Sequence, residues 1–147
     1  MQASSGLGRY VIAFVAGFIA VPVFHQGILD LLYLIQFQPH APFPQSPTSP
    51  FGVPLIWSLS FWGGVWGMVL ALFERRLPRM LIGYLIATTI FGAVFPSLVA
   101  WFIVFPLKGL PVAAGGKVAG LLTGLAVNGA WGFGTGAMLR GFCGPRG

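Results

Sequence analysis

The chain is short of charge, and shortest of acid. Only 7% of its 147 residues are charged, and Asp30 and Glu74 are its only acidic side chains. A soluble domain usually carries about 25% charged residues, so this one has little with which to face water. A single cysteine, Cys143, excludes an internal disulfide and a cysteine-based metal site. Paired carboxylates, a nucleophile–base pair and a phosphate-binding loop are all missing. Gly115-Gly116 precedes a helical pattern but lacks the Walker context. No catalytic residue and no metal site is therefore expected, the balance leans away from an enzyme, and the cofactor is left open.

Apolar residues take the place of charge: 56% of the chain is hydrophobic, and its mean hydropathy is +0.88. The net charge of +6 does not point to nucleic acid, because no basic stripe or stacking platform surrounds the arginines. They flank apolar segments instead. Crossing a hydrocarbon core of about 30 Å takes about 20 helical residues. Four stretches qualify, at about 10–35, 54–73, 80–105 and 117–139. Unpaired backbone groups are not tolerated in lipid, and no alternating strands are present, so each stretch is expected to be a helix. The expected fold class is an all-α integral membrane four-helix bundle forming a single transmembrane domain.

Arg9, Arg75, Arg76, Arg79, Arg140 and Arg146 all fall on one side of the membrane so drawn, and only Lys108 and Lys117 on the other. This positive-inside pattern puts both termini in the cytoplasm. The apolar run after Arg9 resembles a signal peptide. It is long, however, and no A-x-A site follows it, so it reads as a retained span. The outer connection 36–53 holds Pro39, Pro42, Pro44, Pro47 and Pro50. Proline removes an N–H and fixes φ, which predicts a stiff, extended loop over the outer face.

Small residues recur every fourth position in the last span: Gly116, Gly120, Gly124, Asn128, Gly132 and Gly136. Such a stripe suits close helix crossing, which in lipid rests on dispersion contacts rather than a hydrophobic drive. The second span carries a shorter version at Gly63, Gly67 and Ala71. A shift of 65 residues lays Gly64-Val65-Trp66-Gly67 on Gly129-Ala130-Trp131-Gly132, and Arg75 on Arg140. This alignment allows a reading of the chain as two tandem helical hairpins. Pro22 and Pro96 are expected to kink their helices.

Polar side chains at membrane depth are the functional leads. Asn128, Thr88 and Thr89 fall near the midplane. His25, Gln26, Ser58, Ser60, Ser97 and Thr123 form a layer nearer the outside, with Asp30 above it. Bland interhelical hydrogen bonding is the default for Asn128, Thr88, Thr89 and His25, and a solvated interfacial carboxylate for Asp30. The sharper reading is a ligand-binding pocket of His25, Gln26, Asp30, Ser58 and Ser60. On a regular helix His25 lies about 140° around from Asp30, so those two are not expected to pair.

Phe24-His25-Gln26-Gly27 after Val15-Ala16-Gly17-Phe18, the loop end Phe51-Gly52-Val53-Pro54, and Phe61-Trp62-Gly63-Gly64-Val65-Trp66-Gly67 resemble small bacterial four-helix inner-membrane proteins of no known activity. The resemblance covers about the first half of the chain. It implies a bacterial inner (plasma) membrane location and no activity, cofactor or catalytic residue. The leading expectation is a non-catalytic accessory or structural subunit. Its partners are the lipid bilayer and either other membrane-protein helices or a second copy of itself. The alternative is a small transporter or binder of an amphipathic molecule, a lipid or quinone, through the outer polar pocket.

Overall fold

The computed structural model describes residues 6–145, which are mostly helical; the expected placement of Arg146 lies outside them. Four long helices follow one another: α1 (Gly6–Leu34), α2 (Leu55–Arg76), α3 (Leu81–Leu107) and α4 (Val118–Cys143). α1 to α3 are long and apolar enough to cross a membrane. α4 has 26 residues but is not among those three, because glycines, threonines and Asn128 dilute its hydropathy. Of the four apolar spans expected, three meet that standard.

Neither proline breaks its helix. Around Pro22 the backbone widens into a π-helical segment, Val21–His25, and continues as α-helix from Gln26. Pro96 stays within regular α-helix, and a second π-helical segment, Ala100–Val104, comes just before Pro106. A proline lacks the N–H for the i−4 carbonyl and crowds the preceding turn, and a wider turn relieves both.

The proline-rich connection is less extended than its composition suggests. Two short strands, β1 (Pro47–Thr48) and β2 (Val53–Pro54), pair antiparallel, with Pro47 opposite Pro54. The Thr48 hydroxyl donates to the Val53 carbonyl at 2.8 Å. The connection also caps α2: Leu55 N–H donates to Ser46 O (2.9 Å) and Ile56 N–H to Pro44 O (3.0 Å). Two amides that a helix start leaves unpaired thus find carbonyls in the loop.

α1 packs along α2, α3 along α4, and α1 also along α4. The α2 and α3 backbones scarcely meet. Aromatic rings bridge them instead, with Trp66 against Phe91 at 6.2 Å between ring centroids. Ala20, Val21, Ile56, Leu70, Phe91 and Trp131 form the main core, and Ala13, Ala71 and Leu139 a smaller one. Elsewhere large apolar side chains point outward, and only 17% of the most apolar stretch of α3 is buried.

Candidate functional site

The polar groups buried in this bundle lie at three levels. One end, the arginine end, brings all four helices to a single carboxylate. Arg9 of α1 donates from Nε to Glu74 Oε2 and from Nη2 to Glu74 Oε1, each at 2.6 Å. Tyr84 of α3 donates its hydroxyl to the same Oε1 at 3.0 Å. Arg9 also donates to the Cys143 and Gly144 carbonyls, which close α4. Arg9 and Glu74 are about 5% and 3% exposed, so this is an ion pair out of water. A bidentate guanidinium–carboxylate contact is among the stronger hydrogen-bonded pairs. Above it, the Arg140 guanidinium lies 4.9 Å from the Tyr84 ring centroid and donates to the Arg79 carbonyl. The sequence reading placed Arg9 among the arginines that flank apolar segments and gave Glu74 no partner. No spacing signals their meeting, since the two residues are 65 positions apart.

At mid-depth, Asn128 Nδ2 donates to Ser97 Oγ at 2.9 Å. Asn128 was expected to share a layer with Thr88 and Thr89. Both threonines instead donate to the Leu85 carbonyl on their own helix. The Asn128 side chain reaches toward the loop end, where Ser97 stands. Trp131 Nε1 donates to the Gly17 carbonyl at 2.9 Å, joining α4 to α1.

At the loop end, Gln26 is fully buried. Its Oε1 accepts from the Phe43 N–H at 2.7 Å, tying the proline-rich connection into the bundle. Its Nε2 lies 3.2 Å from His25 Nδ1. The amide orientation is set by the Phe43 bond, so Nε2 is the donor and the histidine proton sits on the far nitrogen. Gln38 fastens the same connection by donating to the Leu29 and His40 carbonyls.

Of the expected pocket residues, His25 and Gln26 meet side by side. Ser60 is buried and donates to Ile56 O within α2. Ser58 and Asp30 are half-buried. The described residues form surface clefts, two of which stand out. One, of about 540 Å³, lies around Tyr33, Gln36 and Gln38; the other, of about 410 Å³, lies between Phe24, Gly27, Thr89 and Phe133. Neither is lined by His25, Gln26, Asp30, Ser58 or Ser60. Among the described residues, no three His, Cys, Asp or Glu side chains group as metal ligands.

The glycines do bring backbones together. A methyl group at Gly67 would strike the Ala13 carbonyl and crowd Gly17 Cα; one at Gly132 would strike the Thr88 carbonyl and crowd Gly92 Cα. Gly63 also lies against Gly17, and Gly136 against the Thr88 side chain. The rest of the stripe behaves differently. Gly124 faces the Trp101 ring, Gly120 faces Ala114 of the connection, and Gly116 lies before α4 with a positive φ of 73°. The receiving partners are themselves small residues four apart, Ala13 and Gly17 on α1 and Thr88 and Gly92 on α3, a spacing the sequence reading did not single out. Comparison with protein-family models, with curated proteins and with solved structures finds no match.

Proposed function

We propose that this chain is an integral protein of a bacterial inner membrane, with both termini in the cytoplasm. In this reading it is a non-catalytic accessory or structural subunit, packing against other transmembrane helices or its own copies. The observation that carries the reading is an inside-out distribution of polarity. Among the described residues, the buried polar side chains Arg9, Gln26, Gln38, Ser60, Glu74, Thr88, Ser97 and Thr135 are each hydrogen-bonded within the chain, and the Thr123 hydroxyl is the one buried side-chain polar atom without a partner. Outward-facing positions such as Val11, Ile19, Ile82, Ile90 and Phe102 are apolar. Water rewards the opposite arrangement, while hydrocarbon requires internal pairing and tolerates an apolar exterior.

The matching contacts of Gly67 with Ala13 and Gly17, and of Gly132 with Thr88 and Gly92, favour two tandem hairpins within the bundle. The apolar face of α3 is where a partner helix or lipid belongs. Alkaline carbonate washing should leave the chain in the membrane fraction, and mass measurement after detergent extraction should give an assembly larger than one chain. Release by carbonate would overturn the membrane reading. A stable, ligand-free monomer would overturn the subunit reading alone.

One observation favours the second reading, a binder of an amphipathic molecule in the outer half. The cleft at Phe24, Gly27, Gly129 and Phe133 is mostly apolar and has room at Gly27, where nothing lies within 4 Å of an added Cβ. Gly27→Leu would fill it. If that variant folds and retains the same co-purifying lipid or quinone as the parent chain, this reading is lost.

A further inference from the structure

We propose that the turn joining α2 to α3 binds the phosphate headgroup of an anionic phospholipid, with Arg75, Arg76 and Arg79 as its cationic groups. The proposal rests on the membrane reading above and adds a ligand class and a place.

The turn lacks a counter-charge within the chain. Arg75, Arg76 and Arg79 are all exposed, and they crowd into a five-residue stretch. The chain holds only two acidic side chains. Glu74 is adjacent in sequence, but it is buried and both of its oxygens are engaged by Arg9, with Tyr84 as a further donor. Asp30 lies 21 residues along α1 from Arg9, about 30 Å away at a helical rise. No side-chain carboxylate of the chain is left to neutralise the three guanidiniums. The anion must come from outside.

The setting selects the kind of anion. Leu72, Phe73, Met80, Leu81 and Ile82 are exposed on either side of the turn. The Arg76 guanidinium lies over the Phe73 ring at 5.8 Å, at the boundary between apolar and charged surface. A free phosphate ion would use the cations alone. A phospholipid uses both, with its headgroup at the arginines and its acyl chains along the apolar helix faces. Guanidinium groups suit phosphate because their planar fork offers paired donors. Arg140 braces the turn by donating to the Arg79 carbonyl while stacked on Tyr84, and brings a further positive charge to this end.

The test uses the full chain in detergent, stripped of lipid and then titrated with phosphatidylglycerol or phosphatidylcholine under native mass spectrometry. Phosphatidylglycerol should be retained preferentially, and the preference should fade as salt is raised. In Arg75→Gln/Arg76→Gln/Arg79→Gln the preference should drop by about a hundredfold, at about fivefold per cationic group. Replacing all three with lysine should restore most of it. Lys108→Gln/Lys117→Gln, which removes charge from the other end, should leave it unchanged. Equal retention of the two lipids by the parent chain would overturn the proposal, as would an unchanged preference in the triple glutamine variant. So would capture of an acidic peptide at this turn without any lipid preference, which would identify a protein partner instead. Carbonate extraction of the same preparations reports on membrane integration separately, so either idea can fail without the other.

Discussion

Arg9 and Glu74 meet edge to edge, with two nitrogen–oxygen contacts of 2.6 Å, although 65 residues separate them. The pair joins the start of α1 to the end of α2, and Tyr84 and the α4 carbonyls complete it. Removing one partner of a buried pair leaves the other charge uncompensated, at a cost of about 3–5 kcal/mol. Arg9→Met and Glu74→Leu should each be strongly destabilising in detergent-based unfolding titrations. The double variant should recover much of the loss, because two apolar groups leave no stranded charge. Equal damage in single and double variants would contradict this account.

Gly67 and Gly132 should resist even a methyl group. Each would set a Cβ against a carbonyl of the neighbouring helix, and overpacking of this kind costs about 1–3 kcal/mol. Gly27 has open space around an added Cβ, so Gly27→Ala should be neutral or stabilising by up to about 1 kcal/mol. Thermal midpoints of the three alanine variants, measured in one detergent, check the contrast.

Trp131 donates to the Gly17 carbonyl inside the core. Trp131→Phe keeps most of the ring and loses the donor, which should cost about 1 kcal/mol. Unfolding titrations compare it with Trp62→Phe, at an exposed position, where little change is expected.

Gln26→Leu should free the proline-rich connection without melting the helices. Its carboxamide oxygen is the acceptor for the Phe43 amide. Hydrogen exchange at Phe43 should therefore accelerate, and nicking of the 36–53 connection by added protease should become faster. Helical content should stay at the parent level by circular dichroism. Unchanged exchange at Phe43 would show that the connection is held some other way.

The proposed orientation is tested by the native thiol. Cys143 is half-buried near the end of α4. In intact cells it should react with a membrane-permeant maleimide and not with an impermeant one. Labelling by the impermeant reagent would place this end outside.

Local chemistry wrote much of the fold into the sequence. Three of the four long helices were legible as long apolar runs, because charge and proline mark where apolar sequence stops. Pro22 announced an irregular helix, though not that the backbone would widen rather than break, whereas Pro96 lies within regular α-helix. The every-fourth-residue stripe located Gly132, where two backbones meet, but it also included Gly116, which lies in a turn.

Sequence alone determined a chain with too little charge for a water-facing surface, and with its arginines gathered at one end. Those properties depend on each residue and its neighbours along the chain. Only the tertiary structure decided which groups meet across it: Arg9 with Glu74, Asn128 with Ser97, Gln26 with the Phe43 amide, and Gly132 with Gly92. Each meeting depends on the relative depth and rotation of two helices, and those follow from the packing of every side chain between them rather than from any one spacing. The same packing draws Glu74 inward and leaves Arg75, Arg76 and Arg79 exposed.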